Sequence, residues 1–423
     1  MYIKQLQIKN IRAIKSFSMQ FENPAGWHVL IGDNGAGKSS IIRSLALMLI
    51  GPEEIAGIKP NWNNWLQWKA KEGSVQVEIE RAEHIDLPGG TTGGSIKFKT
   101  ALNWKRKEAN HVILDEKGGP KNPAKNTLWG GKSGWFSAGY GPFRRFTGGS
   151  YEMEKVFGNP SYGRLASHLS LFGEDVALTE ATKWMMNLRF QTLEKKVKHD
   201  LLSDLKKLIN SDKFLPHGTQ LKSVSSDGVI FVDGNGAEIS VTQMSDGYRS
   251  ILSLTFELIR QLIRVYGDEK VFNQVRKGKM QIDLPGVVLI DEVDAHLHPT
   301  WQTRIGQWFI QYFPNIQFIV TTHSPLVCRA CEYGSIWRLA SPGSDIKSAE
   351  ITGTDKNKLI FGNVLDAYGT EVFGKAITIS KEGNDKRNRL GELNIKSLMG
   401  EKVNQEELSD LKNIFPTEKL TLK

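Results

Sequence analysis

Apolar and polar positions alternate over Tyr2–Ile8 and again over Ala13–Phe21, which is the period of half-buried strands. The run Trp27-His28-Val29-Leu30-Ile31 turns nearly continuous in apolar character, as expected of a strand covered on both faces. From Ser39 to Ile50 the apolar residues Ile41, Ile42, Leu45 and Leu49 take helical spacing. Strand, glycine-rich loop and helix in that order predict the start of an α/β nucleotide-binding unit. Residues 51–177 change character. Trp62, Trp65 and Trp68 recur at three-residue steps as one helical stripe, Ser74–Glu80 is strand-like, and glycine pairs at 89–90, 93–94, 118–119, 130–131 and 148–149 mark turns between short strands. Leu178–Phe214 reads as one helix capped by Thr179, and Leu221–Val224 and Val229–Val232 as a hairpin about Asp227-Gly228. A second α/β section follows, with helices over Ser245–Tyr266 and Thr300–Tyr312 and strands over Gly286–Ile290 and Ile316–Thr321. The polar, Lys-rich remainder holds a helix near Asn404–Ile414.

These patterns predict an α/β fold in four segments. Residues 1–50 and 240–345 form the two parts of a core, 51–239 an inserted β-rich and helical lobe, and 346–423 an extension that is a candidate partner-binding region. With 24% charged and 39% apolar residues, the composition excludes disorder, collagen and disulfide scaffolds. Cys328 and Cys331 are too few for an oxidised framework, and Met1-Tyr2-Ile3-Lys4-Gln5 lacks the apolar run of a signal peptide. Apolar runs such as Leu45–Ile50 fall far short of the ~18 residues that span a membrane. The expectation is a cytoplasmic protein without a membrane partner. A net charge of +9 suits nucleic acid and plain solubility equally.

Gly32-Asp33-Asn34-Gly35-Ala36-Gly37-Lys38-Ser39 satisfies G-x-x-x-x-G-K-S. Such a loop curls backbone N–H groups around phosphate oxygens, its lysine reaches the β/γ-phosphates, and its serine holds Mg²⁺. Asn34, Gly35, Gly37, Lys38, Ser39 and Ser40 are therefore candidate ATP ligands. Val287-Val288-Leu289-Ile290-Asp291-Glu292 is an apolar strand ending in two acids, the form of a buried parallel strand opening on a ligand crevice. Asp291 would join Ser39 in steadying Mg²⁺, and Glu292 would take a proton from, or orient, the water attacking the γ-phosphate.

Met244-Ser245-Asp246-Gly247-Tyr248-Arg249, ahead of a helix, resembles the signature motif of ABC-type ATPases in the variant form of SMC- and RecF-like proteins. Asp294-Ala295-His296-Leu297-His298-Pro299 resembles their D-loop, and Phe318-Ile319-Val320-Thr321-Thr322-His323-Ser324-Pro325 their switch-histidine segment. From Gly286 to Leu326 the chain resembles stand-alone AAA-labelled bacterial ATPases, many of them in anti-phage systems of the Septu, PARIS or retron-associated kind. The signature departs from L-S-G-G-Q at Met244, Asp246 and Tyr248, leaving Ser245 and Gly247 as matches. The resemblance implies an ATP-bridged homodimer or higher homo-oligomer in which Ser245, Gly247 and Asp294 face nucleotide. Lys38, Glu292 and His323 are then its catalytic set, with His323 sensing the γ-phosphate.

Plainer readings stand beside several of these. Ser245-Asp246 could merely cap a helix. His323 could satisfy a loop. His296 and His298, two apart, do not share a helix face, so packing outweighs zinc. Cys328-Arg329-Ala330-Cys331 lacks a second pair to complete a zinc site. Tyr140-Gly141-Pro142-Phe143-Arg144-Arg145 resembles a segment near the nucleotide or lobe hinge, or is a solvated loop. Lys195, Lys196, Lys198, Lys206 and Lys207 form a solvated face or, alternatively, bind duplex DNA or RNA.

The leading expectation is an ATP-hydrolysing switch that senses an invader-derived cue and controls a separate effector protein, a nuclease. Two rivals remain: a RecF-like repair or replication ATPase clamping DNA, and a scaffold that holds ATP with little turnover. A transporter engine is disfavoured by the long lobe between Ser39 and Ser245.

Overall fold

A computed structural model describes residues 1–58, 60–82, 86, 97–107, 111–115, 123–125, 127–129, 134–142, 163–173, 179–194, 200–212, 214–225, 228–344, 347–363 and 381–415. The chain starts as a hairpin of β1 (Tyr2–Ile11) and β2 (Ile14–Gln20), buried at alternate positions along much of their length, and then enters β3 (Gly26–Ile31), buried at every residue. That contrast sorts the strands into two sheets. β4 (Glu72–Glu80), β5 (Lys97–Arg106) and β6 (Val112–Asp115) extend the hairpin into an antiparallel sheet ordered β2-β1-β4-β5-β6. β7 (Ser137–Tyr140) leaves that sheet for the one containing β3. A small antiparallel sheet of β8 (Gln220–Ser225), β9 (Gly228–Val232) and β10 (Glu238–Ser240) precedes the signature helix, Asp246–Tyr266. β11 (Gly286–Ile290), β12 (Ile316–Thr321), β13 (Ser335–Arg338) and β14 (Ala349–Ile351) complete the central sheet, ordered β14-β13-β3-β12-β11-β7. All its pairs are parallel except β13 with β14.

The helix Lys38–Ile50 is buried almost all round, from Ile41 and Ile42 through Leu45 to Ile50, so it must be covered on both sides. It shares one core with Ile3, Leu6 and Ile8 of the antiparallel sheet and with Leu289 and Ile319 of the central one. Each fully buried Leu or Ile there contributes about 1.5–3 kcal/mol relative to exposure. Gln317 stitches the two sheets: its Oε1 accepts from Ile3 N at 2.8 Å and its Nε2 donates to Ile3 O at 2.9 Å. The segment between the motifs is thus woven into the structure on both sides, with β4 paired to β1 and β7 paired to β11.

Two expectations about elements change. Within Leu178–Phe214 the described residues form two helices, Thr179–Leu193 and Leu201–Ile209, the second capped by Asp200, whose side chain accepts from Ser203 N. A capping Asp inside an apolar stripe restarts a helix. The three tryptophans share no helix: Trp62 lies in a single 3₁₀ turn, Trp65 packs with it and Trp104, and Trp68 is 81% exposed. Lys195, Lys196, Lys198, Asp227, the glycine pairs, Phe143, Arg144 and Arg145 lie outside the described residues.

The chain divides into two compact units, Met1–Ala367 and Tyr368–Lys423. In the second, helices Lys381–Leu398 and Gln405–Ile414 bury Leu390, Leu393, Leu408 and Leu411 between them. Asn404 caps the latter helix by accepting from Glu406 N and Glu407 N.

Candidate nucleotide-binding site

Parallel strands open their carboxyl ends on one edge of the sheet, and there the three motifs come together. The phosphate loop follows β3, the histidine segment follows β12, and the acids follow β11, on strands that are consecutive neighbours. The loop needs its glycines: Gly35 and Gly37 have φ of +79° and +95°, and a Cβ on Gly37 would lie 2.9 Å from Ile14 Cγ1. Asp33, Asn34 and Gly35 are exposed, Ser39 is half-buried and Ser40 buried. Gly37 is also the N-cap of the helix and offers no side-chain cap. The first-turn N–H groups are left for an anion. Lys38 is buried, and its Nζ donates to the carbonyls of Gly32 at 2.7 Å and Asp33 at 3.0 Å. Burial pushes this ammonium below its ordinary range, while the carboxylates of Asp291, Glu292, Asp294 and Asp33 favour its charge.

The acids are held from both neighbouring strands. Asp291 N donates to Tyr140 O of β7 at 2.8 Å, and buried Asp291 accepts at Oδ1 from Thr321 Oγ1 of β12 at 2.6 Å. Glu292 is half-buried in the left-handed region, φ +49°, with its N–H donating to Thr321 Oγ1 at 2.7 Å. Val293 N donates to Thr321 O at 3.0 Å. A non-glycine residue in that region costs of order 1–3 kcal/mol and persists where its surroundings over-determine it. His323 is exposed, and its backbone N lies 3.4 Å from Asp294 Oδ2.

Ser245 is the N-cap residue of the 21-residue signature helix by position, yet its hydroxyl makes no cap hydrogen bond and the side chain is exposed. The plain capping reading therefore lacks its bond. Asp246 instead pairs with Arg249 one turn on. A Cβ on Gly247 would stand 3.1 Å from His296 O, so the signature abuts its own D-loop. Beside it a cavity of about 670 Å³ is lined by Ser245, Met244, Tyr248, His217 and Asn235.

Comparison with known proteins matches residues 161–329 to the family described as "AAA domain, putative AbiEii toxin, Type IV TA system" and residues 1–113 to "AAA ATPase domain". The chain is 26% identical over 347 residues to the Septu protein PtuA of Bacillus mycoides (strain KBAB4), covering 79% of this chain and 40% of that one. It is 41% identical over 126 residues to the "Retron Ec83 probable ATPase" of Escherichia coli, covering 30% of this chain and 22% of that one. The chain thus spans well under half the length of these two relatives. Among solved structures, the SMC head domain from Thermotoga maritima aligns over 84% of this chain and 99% of that one, at 13% identity and a TM-score of 0.42.

In fold the chain has a mainly parallel central sheet with a phosphate loop after β3, and parts of it match AAA ATPase models. In sequence it resembles ATPases of the Septu and retron-associated kind.

Two holding groups at the acids are not announced by the motifs: Thr321 Oγ1 and the Tyr140 carbonyl. The signal for Thr321 is a hydroxyl at the end of a buried, mostly apolar strand, since a buried hydroxyl requires a partner. Other candidates fall away from the site. His298 Nδ1 accepts from Thr300 N at 3.3 Å as the cap of helix Pro299–Tyr312, and His296 is exposed at φ +65°. Cys328 and Cys331 are free, buried thiols, both pushed up by burial. Among the described residues no group of three or more His, Cys, Asp or Glu could hold a metal, and no helix is long and apolar enough to cross a membrane. Lys206 Nζ donates to Lys222 O at 2.8 Å, and Lys207 pairs with Asp204 at 3.7 Å.

Proposed function

We propose that the chain hydrolyses ATP as an ABC-type switch, two copies closing head to tail on bound nucleotide, and that it controls a separate effector, a nuclease, in bacterial anti-phage defence. The observation carrying the hydrolytic part is the meeting of Lys38, Asp291, Glu292 and His323 at the carboxyl ends of β3, β11 and β12. The defence role is supported by the likeness to Septu and retron-associated ATPases.

Each residue has a task the geometry allows. Lys38 would exchange the carbonyls of Gly32 and Asp33 for phosphate oxygens, with little penalty because it is already desolvated and surrounded by acids. Ser39 and Asp291 offer oxygen donors, the set a hard cation prefers. Mg²⁺ held there would neutralise charge on the phosphates. Glu292 would receive the proton of the attacking water, and exposed His323 would donate to the γ-phosphate. Neighbouring strands lie about 4.8 Å apart, so the loop after β3 and the acids after β11 are separated by about two spacings, room for terminal phosphates. Exposed Ser245 would then bind the γ-phosphate of the partner's ATP. ADP lacks that group, which gives ATP different affinities for closed and open pairs, the requirement of a switch.

Hydrolysis by the purified chain is the test, with Glu292→Gln beside it. Loss of a general base lowers turnover by about 10²–10⁴-fold, while ATP binding persists and light scattering finds the dimer accumulating with ATP. Undiminished turnover in Glu292→Gln would refute the assignment of the base, and a wild-type chain without turnover would favour the scaffold.

A further inference from the structure

We infer that Thr321 is a positioning residue for hydrolysis, its single hydroxyl setting both the metal-facing carboxylate of Asp291 and the backbone of Glu292. The inference rests on the hydrolytic reading above and concerns the strand that lies between the phosphate loop and the acids. A threonine hydroxyl has one hydrogen to give and lone pairs to accept with. Here the hydrogen goes to Asp291 Oδ1, 2.6 Å away, and a lone pair takes Glu292 N–H, 2.7 Å away. The two bonds orient each other. Thr321 is 0% exposed, and β-branching restricts its χ1, so the hydroxyl is held in place by the end of β12.

The consequence for Asp291 is geometric. A hydroxyl donating to one carboxylate oxygen holds the plane of the group. For Glu292 the bond secures a backbone at φ +49°, together with Val293 N donating to Thr321 O. The side chain of the base therefore leaves the strand in a direction that ordinary extended backbone would not give. Two residues beyond Thr321 comes His323, so the strand end that carries the γ-phosphate sensor also carries the hydroxyl that sets the acids. A displacement of that end on phosphate loss would reach both acids through one side chain.

Thr321→Val removes the hydroxyl at nearly constant shape, and Thr321→Ser keeps it. Full-length wild-type and variant chains are compared by steady-state hydrolysis and by binding of a fluorescent ATP analogue titrated with Mg²⁺ or in EDTA. Thr321→Val should lower kcat about 10- to 100-fold, as loss of an outer partner of a metal-facing group does, with KM little changed. It should raise the Mg²⁺ concentration that half-maximally tightens analogue binding by about tenfold, leave binding in EDTA as in wild type, and Thr321→Ser should restore both values. Wild-type kcat and Mg²⁺ dependence in Thr321→Val would overturn the inference, as would a Thr321→Ser chain as defective as Thr321→Val. If Thr321→Val fails to fold, Thr321→Ala is measured against the same expectations. A wild-type chain that binds Mg²⁺ and the analogue without turnover defeats the hydrolytic reading alone, because the Mg²⁺ titration still decides the role of Thr321.

Discussion

If Ser245 of one chain acts on the nucleotide of its mate, then Lys38→Ala and Ser245→Arg, each inactive alone, must complement one another when mixed. The structure motivates the pairing: Lys38 follows β3, whereas the signature abuts the D-loop that follows β11, two strands away. Ser245 points its hydroxyl at no cap and is exposed. In a two-fold pair each site draws Lys38 from one copy and Ser245 from the other. A pair of Lys38→Ala chains lacks the lysine twice, and a pair of Ser245→Arg chains lacks the signature hydroxyl twice. A mixed pair gathers both lesions in one site and leaves the other intact. Random exchange at equal amounts makes about half of the pairs mixed, each with one working site, so independently firing sites predict about a quarter of wild-type turnover per chain. The assay is steady-state phosphate release across mixing ratios after co-incubation with ATP, which should give a curve peaked at equal amounts. Mixtures no more active than the sum of their parts, in samples where differently tagged chains are shown to co-purify, would refute the shared site.

Two further outcomes follow from buried groups. His28 and His168 are both pushed down to about 4 by burial; the unfolded chain binds protons between pH 6.5 and 4 that the folded chain does not. Stability is then full above about pH 6.5 and drains as the pH falls to about 4, by about 3 kcal/mol for each histidine. Urea midpoints at pH 7 and 5 should differ accordingly and His28→Gln should flatten the profile, whereas equal midpoints in wild type would contradict it. Buried Cys328 and Cys331, with thiols raised in pKa, should resist a thiol reagent in the folded chain and react in denaturant; fast labelling of the native protein would show that the site opens.

Legibility in the sequence tracks how local the deciding interaction is. β11, β12 and the helix Gln405–Ile414 lie within a residue of where periodicity places them, because largely apolar runs and a capping Asn are read within one turn or strand. β7 was hidden: Ser137-Ala138-Gly139-Tyr140 is four residues of weak strand character whose place is decided by pairing with β11, far along the chain. Gly139 is required by its neighbours, since a Cβ there would sit 2.4 Å from Leu171 Cδ1, and no local pattern announces that. The tryptophan stripe misled for the opposite reason. Three-residue spacing suits a helix, but Trp62 and Trp65 are fixed by packing on Trp104 of β5.

The candidate site divides along the same line. Its candidate reacting groups stand in motifs whose spacing is itself what the proposed chemistry requires, so Lys38, Ser39, Asp291 and Glu292 can be picked out one by one. What joins them is tertiary. On the head-to-tail reading this matters for how the two sites of a pair communicate. Gly247 of the signature lies against His296 O, His296 sits two residues from Asp294, and Asp294 Oδ2 faces the backbone of His323. A partner's γ-phosphate pressing on Ser245 would therefore act through the D-loop on the chain's own histidine and acids. With φ values of +49° at Glu292 and +65° at His296, this stretch has little freedom to absorb such a push. On the proposed head-to-tail pairing, coupling between the sites would follow from that stiffness, and any side chain larger than glycine at position 247 should disturb it before it disturbs nucleotide binding at the same chain's phosphate loop.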